Sequence, residues 1–226
     1  MHLADYLDAA ILKPDMSRGE ALEAARSCIP YKPKTLCMRP SDLPDLTPVC
    51  REHGMGVCVV LGFPHGCQLT HSKADEARTY LDLGVDEIDM VSNIGWVRSG
   101  EWDRVREDIA AVTALTRAAN TPLKVIFETC FLTREEIRRL TEVCIEAEAD
   151  FVKTSTGFNG EGAKEEHVRI MVETAAKRIQ VKPSGGIRTP ERARALIGMG
   201  ASRLGVGYSS VPALCGDGET VSADGY

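Results

Sequence analysis

Short apolar runs rich in β-branched residues alternate with amphipathic stretches along the whole chain. Residues 7–12, 35–38, 56–63, 87–92, 123–129, 151–156, 179–184 and 203–207 predict eight strands. Between them, helical spacing of apolar residues predicts helices over 17–28, 71–83, 101–119, 133–146, 164–177 and 190–199. Ser17 with Glu20, and Thr133 with Glu136, form the spacing of a capping box. Thr189 stands as a cap before Pro190, a residue favoured in the first helical turn. Strand–helix units of roughly 25–30 residues predict an α/β fold, a single-domain (β/α)8 TIM barrel. A doubly wound open sheet is the alternative, but no Gly-x-Gly-x-x-Gly follows an early strand. The barrel domain is expected over residues 1–215. Residues 216–226, rich in Gly, Asp and Ser, read as a flexible C-terminal tail.

Composition narrows the function classes. The 226 residues are 43% hydrophobic, enough for a substantial core, with a formal net charge of −6. No basic run or basic aromatic patch suggests nucleic acid. No apolar stretch reaches the ~18 residues of a membrane span, and the opening residues carry no signal-peptide pattern. The eight cysteines lack Cys-x-x-Cys spacing and several lie in apolar strands, as Cys58 does. They predict reduced thiols in a cytoplasmic protein, with no metal site.

The chemistry lies in two lysines that interrupt two strands. Lys153 stands in Phe151-Val152-Lys153-Thr154-Ser155-Thr156-Gly157, and Lys182 in Val181-Lys182-Pro183-Ser184-Gly185-Gly186. A lysine is rarely buried without a partner. Strand alternation turns Asp89 of Glu87-Ile88-Asp89-Met90-Val91 inward, and Lys153 likewise, with Lys182 on the next strand beside it. Two cations in one poorly solvated pocket are expected to depress each other's pKa and keep one amine nucleophilic, as Schiff-base chemistry requires. The competing reading is a Lys–Asp–Lys network that only holds the barrel together. Gly-rich turns follow strands six to eight, the last being Gly205-Val206-Gly207-Tyr208-Ser209-Ser210. Such turns offer backbone N–H groups to a phosphate, or simply make tight corners. Arg188 either steers an anion or caps a helix. Cys37 reads as pocket-facing or as a small core residue, and His65 stands at a strand end.

These segments resemble the deoxyribose-phosphate aldolase family of class I aldolases. The similar stretches are Leu7-Asp8 with Ile11-Leu12-Lys13-Pro14, Gly62-Phe63-Pro64, residues 86–91 with Asn93-Ile94-Gly95, and residues 124–129, 150–158 and 181–189. The resemblance implies a barrel with Lys153 as the Schiff-base lysine, Lys182 as the lysine that perturbs it, and Asp89 as the proton-relay carboxylate. It implies phosphate binding by backbone around Gly157, Gly185, Gly186, Gly207 and Ser209. Asp8, Cys37 and Thr156 are the candidate substrate contacts. Longer relatives end in a tyrosine that visits the site, which makes Tyr226 a candidate catalytic residue. The chain departs from the family at Ala9 and Ala10, where a His or Leu and then a Thr are usual.

The expected activity is reversible cleavage of 2-deoxy-D-ribose 5-phosphate to D-glyceraldehyde 3-phosphate and acetaldehyde, in deoxyribonucleoside catabolism. The iminium would be the electron sink, so no cofactor is expected. The expected partners are the phosphosugar and acetaldehyde, with a homodimer compatible. Ala9 and Ala10 leave open a class I aldolase for another phosphosugar or aldehyde donor. A non-catalytic phosphosugar-binding barrel is the alternative from another class.

Overall fold

The computed structural model describes residues 2–216. Eight parallel strands are β1 (Leu7–Ile11), β2 (Thr35–Met38), β3 (Gly56–Leu61), β4 (Glu87–Val91), β5 (Leu123–Ile126), β6 (Phe151–Lys153), β7 (Gln180–Lys182) and β8 (Leu204–Gly207). They pair in the order β7-β6-β5-β4-β3-β2-β1-β8. A bridge between Ser184 and Gly205 brings the two ends of that order together, and the Gly205 N–H donates to the Pro183 carbonyl at 2.9 Å. The sheet is therefore a barrel, as the alternation of strands and helices predicts.

The helices are α1 (Arg18–Cys28), α2 (Leu43–His53), α3 (Thr70–Asp82), α4 (Ile94–Arg98), α5 (Trp102–Ala118), α6 (Arg134–Glu146), α7 (Glu165–Ala175), α8 (Pro190–Gly198) and α9 (Val211–Cys215). Both expected capping boxes form: Ser17 and Thr133 accept from the backbone of Glu20 and Glu136, whose side chains accept in return. Three helices escape the sequence pattern. Pro48 lies inside α2, where a proline ordinarily argues against a helix, and α4 and α9 are single turns.

Alternation divides the side chains into two cores. Outward residues such as Ala9, Val57, Val59, Ile88, Met90, Val125, Val152 and Val181 form one continuous core with the helices. Ala10, Leu12, Cys37, Cys58 and Val60 form a separate small cluster inside the barrel, with Phe63 and Phe158 packed on it. Of the two alanines that depart from the family pattern, Ala10 is therefore the one that faces the interior.

A buried ion pair ties two of the outer helices to the end of a strand. Lys73 of α3 donates to Asp108 of α5 at 2.6 Å and to the Val91 carbonyl of β4 at 3.0 Å, and Thr70 donates to the same carboxylate at 2.9 Å. Both charged side chains are fully buried. Removing one partner strands the other, whereas an apolar replacement of both is tolerated. Asp108→Ala is expected to lower unfolding free energy by about 3–5 kcal/mol. The double variant Lys73→Met/Asp108→Leu should lie close to the parent. Urea unfolding of the three proteins measures this.

Candidate active site

The interior of the barrel holds an ion cluster contributed by five of its strands and by Arg203, just before β8. Register places Asp89 of β4 opposite Lys124 of β5, and Lys153 of β6 opposite Lys182 of β7. Asp89 is the hub. Its Oδ2 accepts from Lys153 and Lys182, both at 2.7 Å, and its Oδ1 accepts from Lys124 at 2.8 Å. Lys182 also meets Asp8 at 2.5 Å. Lys124 meets Glu87 at 2.6 Å and Asp8 at 3.6 Å. Arg203, just before β8, bonds Asp8 at 2.6 Å and grips Glu87 with two nitrogens at 2.8 and 3.0 Å. Lys124, Lys153, Lys182 and Arg203 thus face Asp8, Glu87 and Asp89, an excess of one positive charge.

The lysines are not held equally. Lys124 and Lys182 are completely buried, and each contacts more than one carboxylate. Lys153 contacts Asp89 alone, and its side chain keeps 5% exposure. Burial would raise Asp89, but Lys124, Lys153 and Lys182 outweigh it and hold the carboxyl well below the usual range. Asp8 is held low in the same way by Lys182, Lys124 and Arg203 against burial. Lys182 moves opposite to expectation. Burial pulls it down, yet Asp8 and Asp89 more than offset this and raise it above an ordinary lysine. Lys124 is raised for the same reason, burial being outweighed by Asp89 and its neighbours. The mutual depression expected from two adjacent cations neglects the carboxylates placed between them.

Above this floor the barrel mouth has two different sides. A cavity of about 280 Å³ lies beyond β6, β7 and β8, lined by Gly157, Gly185, Gly186, Gly207 and Ser209 together with Arg188. Gly157, Gly185 and Gly186 have φ of 89°, 83° and 73°, the left-handed region that glycine adopts without strain. The five residues expected to bind phosphate therefore share one concavity. On the opposite side, the apolar cluster of Ala10, Leu12, Cys37 and Val60 is covered by Phe63 and Phe158, whose rings meet edge to face at 5.2 Å. Thr156 lies between the two sides. Its hydroxyl donates to the buried Glu128 carboxylate and accepts from the Phe158 N–H at 3.1 Å. Asn159 donates to the same carboxylate at 2.7 Å. Glu128 itself has φ of 55°, a strained conformation for a residue with a Cβ, held by these contacts.

The chain and its fold have known counterparts. Residues 23–205 match the model of the DeoC/LacD family aldolases. The chain belongs to that family. Deoxyribose-phosphate aldolase of Mannheimia succiniciproducens is 42% identical over 203 residues, covering 90% of each chain. That of Finegoldia magna is 43% identical over 206 residues, covering 91% of this chain and 95% of the relative. Among solved structures, the aldolase QR15 superposes with a TM-score of 0.86 at 37% identity, covering 92% of each chain. The tetrameric deoxyribose phosphate aldolase of Aeropyrum pernix gives 0.85 at 28% identity, covering 94% of this chain and 89% of that one.

Within this aldolase, Lys153, Lys182 and Asp89 meet as the alternation required. Asp8 is fully buried and engaged by Lys182, Arg203 and Thr35. Cys37 faces inward, with its sulfur 3.9 Å from Asp89 Oδ2. His65 is exposed. Tyr226 lies outside the described residues. Lys124, Glu87, Arg203 and Glu128 were missed as members of the site. Alternation from Asp89's partner strand could have found Lys124, an inward residue in the run 123–126. Nothing local marks Glu128, whose role depends on a turn some thirty residues later.

Because Asp8 and Asp89 bind protons more weakly folded than unfolded, their contribution to stability is complete above the unfolded carboxylate value of about 4. It is lost as pH falls below that value. Asp89→Asn removes one of the two groups. The urea midpoint of the parent is expected to fall more steeply between pH 5 and 3 than that of Asp89→Asn, whatever their difference at pH 7.

Proposed function

We propose that the chain is a class I aldolase that cleaves 2-deoxy-D-ribose 5-phosphate reversibly to D-glyceraldehyde 3-phosphate and acetaldehyde, with Lys153 as the Schiff-base residue. The observation that carries this reading is the unequal grip on the lysines. The cluster sums to zero when one amine lacks its proton, and Lys153 is the amine the network can spare. It is also the one next to the mouth, with the glycine-lined cavity available for a phosphate.

In this mechanism the Lys153 amine attacks C1 of the open-chain sugar, and loss of water gives an iminium. The C3 hydroxyl passes its proton through a water to Asp89 as the C2–C3 bond breaks, and the electron pair flows into the iminium to give an enamine. Protonation at C2 and hydrolysis release acetaldehyde and return the amine. Asp89, held ionised by three ammonium groups, accepts the C3 hydroxyl proton and holds it only in passing. It stabilises the cationic iminium on Lys153, which meets its Oδ2, and returns the proton to C2 of the enamine. Lys182 and Lys124 stay charged and keep Asp89 in place. The N–H groups of Gly157, Gly185, Gly186 and Gly207, with the Ser209 hydroxyl, would hold the 5-phosphate. Cys37 and Thr156 would flank the carbon chain. The relatives named deoxyribose-phosphate aldolase support this substrate.

Two finer points belong to the same reading. Among the described residues no helix is long and apolar enough to cross a membrane, and eight free thiols suit a cytoplasmic setting. Self-association, as a dimer or higher oligomer, is in keeping with the tetrameric Aeropyrum pernix relative. Tyr226 is retained as a candidate proton carrier on sequence grounds alone.

The test is direct. Purified protein with 2-deoxyribose 5-phosphate should release acetaldehyde and glyceraldehyde 3-phosphate in equal amounts. Unphosphorylated deoxyribose should react with a much higher KM. Asp89→Asn should cut turnover by roughly 10²–10⁴-fold. No acetaldehyde from the phosphosugar, or equal KM for both sugars, would remove the proposed substrate.

A further inference from the structure

Two thiols adjoin the ion cluster, and the mechanism uses neither as a reacting group. Cys37 of β2 and Cys58 of β3 are register partners on adjacent parallel strands. Both turn into the barrel and belong to the apolar cluster inside it. Their sulfurs and an Asp89 oxygen all lie within 4.8 Å of one another. Cys58 contacts Asp89 Oδ1 at 3.3 Å and receives a contact from Lys124 Nζ at 3.4 Å. A divalent cation on this trio would have to compete with three ammonium groups for the Asp89 carboxylate, so a metal is disfavoured.

The geometry instead suits a covalent bond. Neighbouring strands lie about 4.8 Å apart, and a disulfide spans Cα atoms about 4.4–6.8 Å apart. Register partners on parallel strands project to the same side, so little backbone movement is required. Cys37 Sγ stands 3.9 Å from Asp89 Oδ2, the oxygen that the slightly exposed Lys153 contacts. Its hydrogen bond with Cys58 lowers its pKa against the opposing effect of burial, which favours the thiolate.

We propose that Cys37 and Cys58 form an oxidisable dithiol, a modification site that a peroxide converts to a cross-strand disulfide and that switches the site off reversibly. The Cys37 sulfur attacks hydrogen peroxide, the O–O bond breaks, and a sulfenic acid and water form. The Cys58 sulfur then attacks the sulfenic sulfur. The S–O bond breaks, and the hydroxide leaves as water with the Cys58 proton. Both thiols are oxidised, one peroxide is reduced, and two waters result. Closing the sulfurs to about 2.05 Å takes the Cys58 S–H away from Asp89 Oδ1. It also draws the wall beside Lys153 inward.

The experiment treats the wild-type protein with hydrogen peroxide, then denatures it, alkylates it without reduction and maps the peptides. The expected result is a Cys37–Cys58 cross-linked pair, lighter by two hydrogens than the two free-thiol peptides together. Aldol cleavage should fall by roughly ten- to a hundred-fold and return with dithiothreitol. In Cys58→Ala no such pair can form, and dimedone should trap Cys37 as its sulfenic acid. Alkylation of both residues under conditions that oxidise the exposed Cys67 would overturn the proposal, as would pairing of Cys37 with another thiol. A cross-link that leaves cleavage intact would overturn its coupling to the site. The peptide map reads the bond without reference to activity, so its failure is separate from a failure of the aldolase reading.

Discussion

The interior of this barrel is organised around one carboxylate. Asp89 accepts from three lysines on two oxygens, and without it three ammonium groups would share a water-poor interior. A buried charge is tolerable only when paired and hydrogen-bonded. The second layer of pairing, Asp8 and Glu87 with Arg203, completes the balance from the far side of the barrel. Every strand except β2, β3 and β8 contributes a charged side chain to the network, with Arg203 just preceding β8. The barrel closes at Ser184 and Gly205, beside this network. A Cβ on Gly205 would stand 2.6 Å from that of Ser184 and 3.3 Å from Lys182 Cε. Glycine there lets Lys182 lie between Asp8 and Asp89.

The excess of one positive charge gives the network a preferred reacting residue. Three of the four cations are fixed by more than one contact to carboxylates, and the fourth, Lys153, has one. The mouth then divides the remaining work. Glycine-rich turns after β6, β7 and β8 suit an anion, whereas the apolar cluster of β1 to β3 suits carbon. A deoxygenated sugar phosphate has that same polarity. Ala10 lies on the apolar side and adds no hydroxyl to it, so the departure at this position leaves the ion cluster untouched.

Much of this was legible from alternation. A period of two put Asp89 and Lys153 inside, and regular strand–helix spacing gave the barrel. The readings ran past the strand ends, however. Residues 154–156 look like strand because threonine favours extended backbone. In the structure the Thr154 hydroxyl donates to the Ser184 carbonyl and accepts from its N–H, the Ser184 hydroxyl donates to the Ser155 carbonyl, and Thr156 bonds Glu128. Helix α2 was hidden by Pro44 and Pro48. The direction of the Lys182 shift was misjudged because it depends on Asp8, 174 positions earlier in the chain and within 2.5 Å in space. Local patterns assign faces, but the balance of charge on a face depends on residues that only the closed barrel brings together.

The central claim is that the cluster leaves one lysine, Lys153, free to react while holding the other two. Acetaldehyde followed by borohydride reduction converts any iminium to a stable ethyl-lysine that peptide mapping can locate. The account predicts the adduct on Lys153, with Lys182 and Lys124 unmodified in the same digest. An adduct on Lys182 or Lys124, or none on any of the three, would contradict it.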